Sequence, residues 1–259
     1  MDKLQSILSE MSTISLEEMK QVKLMNRVDT KFMISIRQLE DVFDKIKADY
    51  YIQAINDILV ATYQTLYYDT PDLAMYIAHQ NKKLNRQKIR TRQYCDTANA
   101  FCEIKNKNNK GRTKKVRIPI DLKYFGEFED DKEALSFAEQ NLKYPVSDLL
   151  PQVETNFKRI TIVNFDKTER ITIDSGLYFK NEQNGVIAEV PELVIIEVKQ
   201  GMAAKSLFIN ALHDLHIQPQ SISKYCLGMV LTNSAVKHNR FKKKIQYIKK
   251  FVTNKIIIS

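Results

Sequence analysis

Basic side chains recur at every second position in one stretch of the chain, from Gln87 to Pro119. Polar and apolar residues alternate in three segments of this stretch, and a period of two predicts β-strands with two unlike faces. One face carries charge, on Arg90, Arg92, Glu103, Lys105, Lys115 and Arg117. The other face is apolar or neutral, and polar residues typical of turns separate the segments at 96–99 and 106–111.

The charged faces allow two interpretations. Charged residues on strands are usually exposed to water, and the apolar faces alone would then form the core. Alternatively, the charged faces converge on a bound polyanion, because Arg donates paired hydrogen bonds to phosphate oxygens and Lys supplies point charges. These three strands do not decide between the two interpretations, so the rest of the chain must.

The same alternation occurs in four further segments, 27–33, 157–163, 170–174 and 193–199. The basic residues on the charged faces of all seven predicted strands are Lys31, Arg90, Arg92, Lys105, Lys115, Arg117, Arg159, Arg170 and Lys199, and the acidic ones are Asp29, Glu103, Asp174 and Glu197. The repetition favours the polyanion, because cations enclosed together in a low dielectric repel one another unless an anion neutralises them. Carboxylates among them could bind Mg²⁺ or Mn²⁺, which bridge carboxylate and phosphate oxygens.

Amphipathic helices are predicted between the strands. A capping box at Ser35–Gln38 precedes a helix with an apolar stripe of Leu39, Val42, Phe43 and Ile46. Thr70 and Pro71 predict the start of a short helix, Ser175 and Gly176 a turn, and further helices are expected at 131–143, at 203–215 and from 221–224 onwards. Together these elements predict a barrel with a polar interior and an apolar outer face covered by helices, the reverse of an ordinary small barrel.

Composition and motifs exclude other classes of protein. The chain has 259 residues and a net charge of +9, which favours anionic partners. Its three cysteines lack a C-x-x-C spacing and predict reduced thiols in a cytosolic protein. The sequence has neither a membrane-spanning apolar run nor a signal peptide, and it has no P-loop, no Rossmann fingerprint and no nucleophile motif. His213 and His216 lack a third metal ligand and are interpreted as the end of a helix.

The C-terminal segment is strongly basic. Phe241, Ile245, Ile248 and Val252 form one apolar stripe among several lysines, which predicts a helix. Such a helix is either a solvated element or a surface that docks on anionic lipid or on a partner.

The ordered set of charged motifs resembles a known family. The residues that carry the resemblance are Asp29-x-Lys31, Arg90-x-Arg92, Glu103-x-Lys105, Lys115-x-Arg117, Arg159, Arg170, Glu197-x-Lys199 and Ser223-Lys224-Tyr225. They occur in the order found in the VTC domain, the polyphosphate polymerase domain of the vacuolar transporter chaperone complex, within the triphosphate tunnel metalloenzyme superfamily. Asp29 stands where related tunnel enzymes often carry Glu. Lys115 is preferred to Lys114 because it shares a face with Arg117.

The resemblance implies a fold and a set of roles. The fold would be α+β, a closed antiparallel tunnel barrel of about eight strands at 26–230, with a helical segment at 1–25 and a basic tail at 231–259. The residues expected in catalysis are Lys31, Arg90, Arg92, Lys105, Lys115, Arg159, Arg170 and Lys199. Arg117, Lys224 and Asp29 would bind substrate, and Glu197 and Glu103 would bind Mn²⁺ or Mg²⁺.

The implied activity is polymerisation of the γ-phosphate of ATP into polyphosphate. A triphosphatase with the same tunnel is the first alternative, and a module that binds polyphosphate or inositol phosphates without turnover is the second. The cationic faces carry few aromatic residues, which argues against a nucleic-acid partner. We expect a cytoplasmic protein, with the inner face of a membrane as the alternative location, and a separate membrane protein for any translocation of product.

Overall fold

Alternating strands build one large sheet in the computed structural model, which describes residues 2–22, 27–201, 205–251 and 257–258. The strands are β1 Thr13–Ser15, β2 Arg27–Ser35, β3 Tyr50–Ala54, β4 Ala61–Asp69, β5 Arg86–Tyr94, β6 Asn99–Lys107, β7 Thr113–Ile120, β8 Leu150–Asn164, β9 Glu169–Asn181, β10 Ile187–Val190, β11 Leu193–Gly201 and β12 Ile257–Ile258. The helices are α1 Asp2–Glu10, α2 Leu16–Gln21, α3 Ile36–Ile46, α4 Ala74–Gln80, α5 Lys132–Asn141, α6 Leu207–Asp214, α7 Lys224–Thr232 and α8 Lys242–Phe251.

Eight of these strands form a continuous antiparallel path in the order β7-β6-β5-β4-β8-β9-β11-β2. The α+β class and the antiparallel sheet are therefore confirmed. The predicted closed barrel is not, because no pairing joins β2 to β7 within the described residues. Strand β7 has the character of an edge, since Pro119 has no N–H to donate and Lys115 and Arg117 are exposed.

Helices cover the apolar outer faces of the sheet, as predicted. On one flank, α1, α3 and α6 pack against the outer residues of β2, β11, β9 and β8, among them Phe32, Val194 and Ile173. On the other flank, α5 packs its Ala134 and Ala138 against Cys102 and Ile104 of β6. Cys102 is fully buried there, as expected from its alternation with the charged face.

Helix α7 lies on the inner side of the sheet, where it covers one end. Its Gly228 approaches β8 and β9 so closely that a Cβ atom would lie 2.7 Å from Val153 Cγ1 and 2.8 Å from Phe179 Cδ1. Helix α8 joins the same apolar cluster through Ile248, next to Phe241 in the turn before it. The basic C-terminal segment is thus helical and packed on one face, while Val252 of its predicted stripe lies outside the described residues.

Local capping explains where the sequence predictions succeed and where they fail. Ser35 and Gln38 form the predicted capping box of α3. The helix predicted at Thr70 and Pro71 begins only at Ala74, because Asp69 Oδ1 accepts from the backbone N–H of Met75 at 2.8 Å and Thr70 Oγ1 from that of Ala74 at 2.9 Å.

The turn predicted at Ser175 and Gly176 is also wrong. Strand β9 continues through both residues, and the irregularity is a register shift between Asn156 and Lys158 on β8, opposite this point. Gly176 has a φ of +60°, which glycine adopts without strain, so the chain bulges here instead of reversing.

Candidate active site

The charged faces of the strands meet on the inner side of the sheet, where each of three carboxylates holds two cations. Glu103 of β6 is fully buried and accepts from Arg90 of β5 at 2.6 and 2.8 Å and from Lys115 of β7. Burial alone would raise the pKa of Glu103, but Arg90, Arg92 and Lys115 outweigh it and lower the pKa well below its usual range. The choice of Lys115 over Lys114 agrees with this contact.

Asp174 on β9 forms the second group of this kind. Arg159 of β8 donates to both of its oxygens, at 2.6 and 2.8 Å, and Lys224 at the start of α7 donates to Oδ2. Burial opposes ionisation, but the two cations lower the pKa of this carboxyl. The sequence placed Asp174 on the charged face among the carboxylates that could bind metal, and the structure makes it a link between the sheet and α7.

Glu197 on β11 forms the third group. Lys31 of β2 contacts Oε1, and Lys199 lies 2.8 Å from Oε2. These two lysines lower the pKa of Glu197 against the opposing effect of burial. Lys31 and Glu197 are directly opposite each other in the β2–β11 register. Their ion pair therefore joins the edge strand β2 to β11 on the charged face.

Four further cations on this face have no carboxylate within ion-pair distance among the described residues: Lys88, Arg92, Lys105 and Arg170. Lys88 donates to Ser223 Oγ at 2.7 Å, and Arg92 donates to Thr65 Oγ1 at 3.1 Å. Arg170 has a buried Nε with no hydrogen-bond partner. Lys88 was missed by the sequence analysis, although its spacing from Arg90 and Arg92 on β5 was the signal for it.

Lys105 shows how strongly these cations repel one another. Arg90 is the largest cause, followed by burial and Arg92, of a pKa for Lys105 that is lowered to about 6. Glu197, on the opposite flank of the sheet, acts on the same lysine in the other direction. The charged faces of β6 and β11 are therefore close enough for their side chains to interact electrostatically.

We call this set of residues the cationic cluster. It comprises ten cations and three carboxylates: Lys31, Lys88, Arg90, Arg92, Lys105, Lys115, Arg159, Arg170, Lys199 and Lys224, with Glu103, Asp174 and Glu197. The excess of positive charge is what a polyanion site requires, because a buried cation without a counter-ion is costly. All eight residues predicted to be catalytic take part in ion pairs or electrostatic contacts within this cluster, and Arg170 does so with Glu197 and Arg159.

Two predicted substrate-binding residues lie at the borders of this cluster. Arg117 is exposed on β7, with its guanidinium carbon 4.4 Å from the centre of the Phe101 ring. Asp29 is exposed on β2 and pairs with Arg27 at 3.1 Å. Asp29 is opposite Lys199 in the β2–β11 register, so it remains on the face that the sequence predicted.

Glu197 and Glu103 are the predicted ligands of a divalent metal, which prefers oxygen donors. No group of three or more His, Cys, Asp or Glu side chains comes together in the part of the chain that the structure describes. Mg²⁺ is often held by one or two carboxylates together with phosphate oxygens, so a single carboxylate fits when substrate supplies the rest. Glu197 keeps part of its side chain exposed, whereas Glu103 is fully buried between two cations, and the geometry favours Glu197.

None of the helices in the described ranges combines the length and the apolar character that crossing a membrane requires. The expected membrane partner and the predicted location stay predictions.

Comparison with known proteins places these observations in a family. The VTC domain matches residues 26–233, which include every strand of the continuous eight-strand path. No curated protein matches the chain.

Solved structures align with this chain at low sequence identity. A Hippeastrum protein described as a putative adenylyl cyclase with a dominant triphosphatase activity aligns with a TM-score of 0.51 at 12% identity, over 80% of this chain and 96% of its own. A putative adenylate cyclase from Vibrio parahaemolyticus aligns with a TM-score of 0.46 at 10% identity, over 79% of this chain and 99% of its own. The first of these likenesses supports the tunnel-type fold, and the match over residues 26–233 shows that the chain belongs to the VTC domain family.

Proposed function

We propose that this protein is a metal-dependent phosphoryl transferase that polymerises the γ-phosphate of ATP into inorganic polyphosphate. The observation that carries the proposal is the presence of four inner cations without a carboxylate partner, beside three carboxylates that are each already held by two cations. A chain of phosphates neutralises such a set along its whole length. A neutral ligand or an isolated single charge would leave most of it unpaired.

The reaction needs little covalent chemistry from the protein. A terminal oxygen of the growing chain attacks the γ-phosphorus of ATP in line, a new P–O bond forms, the bond from the γ-phosphorus to the bridging oxygen breaks, and ADP leaves with that oxygen. The attacking oxygen is already anionic, so no strong general base is required. Positioning by Arg90, Arg92 and Arg159 and neutralisation by Lys105 would supply most of the barrier reduction.

A divalent metal would add to this charge neutralisation. Glu197 is the residue that would hold it, together with phosphate oxygens of the substrate, and the bound ion would neutralise charge on the transferring group. Release of Glu197 from Lys31 and Lys199 would at the same time free these two lysines to contact phosphate.

The length of the cationic row favours a chain over a single triphosphate. Lys88, Arg90 and Arg92 share one face of β5, and the row continues to Arg86, which is opposite Lys107 of β6. Arg92 lies six positions beyond Arg86 along the strand, which is roughly 20 Å at about 3.4 Å per residue. This row can contact more than three successive phosphates.

A triphosphatase is the second candidate, and a specific observation favours it. Helices α7 and α8 fill the inner side of β8 and β9 with apolar packing, which limits the path of a long product in that direction. The same cationic cluster would then hold a short substrate, with water as the acceptor in place of a phosphate chain.

One experiment separates the candidates. Purified protein is incubated with ATP and Mn²⁺ or Mg²⁺, and long-chain polyphosphate is resolved from free phosphate. Glu197→Gln serves as the site variant and Glu139→Gln, an exposed position on α5, as its matched control. We expect long chains from the wild type and Glu139→Gln and none from Glu197→Gln.

Other outcomes would change the assignment. Free phosphate without chains would replace the polymerase with a triphosphatase. Binding of polyphosphate without either product would leave a non-catalytic binding module.

A further inference from the structure

Four aromatic rings lie on the inner faces of the strands around Arg92, and one of them, Phe157, also lies under Lys224 of α7. Tyr63 of β4 stacks on Phe157 of β8, with ring centres 5.2 Å apart and planes at 12°. Tyr63 also contacts Tyr94 of β5 at 5.0 Å, and Tyr94 meets Phe101 of β6 edge-on at 5.7 Å. Sequence alternation puts Tyr94 on the face of Arg90 and Arg92, two residues beyond Arg92.

The two halves of this aromatic row differ in what covers them. Tyr63 and Phe157 are buried, and the guanidinium carbons of Arg159 and Arg92 lie over the Tyr63 ring at 4.8 and 5.5 Å. Tyr94 and Phe101 are only half-buried, at the ends of β5 and β6 farthest from α4. The inner half therefore supports two phosphate-binding arginines, and the outer half leaves ring surface open to a ligand.

Arg117 completes the outer half. Its guanidinium carbon lies 4.4 Å from the centre of the Phe101 ring, and the side chain is exposed. It has no ion pair or hydrogen bond to another side chain within the described ranges, so its charge is not needed to hold the sheet together. A guanidinium plane held on an aromatic ring offers a flat, cationic second surface.

The position of these residues relative to the cationic cluster restricts what they can bind. Arg92, without a carboxylate partner, is directly opposite Phe101 in the β5–β6 register and lies next to Tyr94 on its own strand face. Helix α7 packs Leu227, Met229 and Gly228 against the inner surface, in the same apolar cluster as Tyr63 and Phe157. A bulky group attached to a phosphate chain that reaches Arg92 can lie over Tyr94 and Phe101, which are only half-buried.

We propose that Tyr94, Phe101 and Arg117 form a subsite for the nucleoside of a nucleoside triphosphate, with its phosphates directed past Arg92 into the cationic cluster. This inference rests on the proposed function. A nucleobase stacks on aromatic rings and on guanidinium planes, and such stacking tolerates any base because each has a π-face. The subsite thus distinguishes a nucleotide from an inorganic phosphate chain more than it distinguishes one base from another.

The test compares two ligands that differ only in the nucleoside. Binding of ATP and of inorganic tripolyphosphate is measured by titration calorimetry for the full chain and for Phe101→Ala, Phe101→Leu and Tyr94→Leu. The two leucine variants keep apolar volume and remove the ring. Phe165→Ala is the matched control, since Phe165 is an exposed aromatic residue whose ring lies 4.5 Å from that of Tyr51, at a tilt of 53°, in a different part of the fold.

We expect the three variants to lose about 10-fold in affinity for ATP, which is within the range of base–aromatic stacking. Their affinity for tripolyphosphate should stay within about twofold of the wild type, and Phe165→Ala should bind both ligands normally. Unchanged ATP affinity in the leucine variants would overturn the inference, and so would an equal loss for both ligands, which is the result of a purely structural role. A wild type that binds neither ligand would overturn the proposed function itself, and the inference with it.

Discussion

At the scale of single residues, the cationic cluster contains two kinds of cation. Arg90, Arg159 and Lys224 are held by buried carboxylates, so each has a structural role besides the phosphate-binding role that we propose. Lys105 and Arg92 have no carboxylate partner among the residues described, so the folded chain bears the repulsion between them. Substitutions of the two kinds should have opposite effects on stability.

Lys105→Met should abolish turnover while leaving stability unchanged or raised. The variant removes a lysine whose pKa is lowered to about 6 by Arg90 and by burial, so it relieves repulsion and leaves no carboxylate unpaired. Activity with ATP and the urea midpoint of unfolding are the measurements. Normal turnover would remove Lys105 from the proposed set.

Lys105 should also couple both folding and ligand binding to protonation. Since the pKa of Lys105 is about 6 in the free protein and about 10.4 in an unfolded chain, stability should rise as the pH increases from about 6 toward 10. A bound polyanion raises the pKa again, so tripolyphosphate binding near pH 8 should take up a proton at this site. Calorimetry in buffers of different ionisation enthalpy measures the uptake, which should decrease in Lys105→Met.

Arg90→Ala should instead unfold readily. The structure shows that this variant would leave Glu103 fully buried with Lys115 as its remaining partner. Breaking a buried pair from one side typically costs about 3–5 kcal/mol. In urea, Arg90→Ala should unfold well before the wild type, and the added substitution Glu103→Gln should restore part of the loss. An Arg90→Ala variant as stable as the wild type would show that the Arg90–Glu103 pair contributes little to the free energy of unfolding.

At the scale of elements, α7 determines the inner end of the site. Ser223 caps this helix, accepts from Lys88 at 2.7 Å, and is followed by Lys224, which reaches Asp174. The neighbouring Tyr225 donates to the buried Asp69 at 2.6 Å, which joins α7 to the start of α4. The position of the helix depends on these three contacts and on the close approach of Gly228 to the sheet.

Gly228→Ala should move this helix and weaken phosphate binding. The new Cβ would lie 2.7 and 2.8 Å from side-chain atoms of Val153 and Phe179, and overpacking of this kind costs about 1–3 kcal/mol. We expect a lower melting temperature together with weaker binding of tripolyphosphate. Gly126→Ala is the matched control, because nothing lies within 4 Å of a Cβ at that position. Equal behaviour of the two variants would contradict this account of α7.

At the scale of the whole molecule, the antiparallel sheet has its charged face on the inner side. A ligand that neutralises the excess positive charge on this face should stabilise the fold. Helices bury the outer face as an ordinary core, while the inner face carries ten cations against three carboxylates. Folding without a ligand is therefore opposed by charge repulsion that a polyanion removes.

Tripolyphosphate should raise the melting temperature substantially. A ligand at about 100 times its dissociation constant stabilises the native state by about 2.7 kcal/mol, which corresponds to roughly 5–10 °C for a chain of this size. Differential scanning calorimetry measures the shift, with equal ionic strength of sodium chloride as the control. If sodium chloride raises the melting temperature by the same amount, the effect is general charge screening, and the protein has no specific site for tripolyphosphate.

The sequence by itself determined the two faces of each strand, the outer helices and nearly all the charged residues of the site. Strand alternation is a local property, so Arg90 and Arg92, Glu103 and Lys105, and Glu197 and Lys199 could be assigned to faces from spacing alone. The capping box at Ser35 is equally local. Lys88 was within reach of the same reasoning, as the next residue of that face on β5.

Only the tertiary structure decided which charges pair and which remain free. Pairing joins residues far apart in the chain, as in Lys31 with Glu197 or Asp174 with Lys224, and spacing along one strand carries no information on it. The same holds for the open edge between β2 and β7, for α7 lying on the inner side, and for Tyr94 and Phe101 next to Arg117. The physical reason is that side-chain direction is fixed by the local backbone, whereas the partner of each side chain is fixed by how the strands pair and the helices pack.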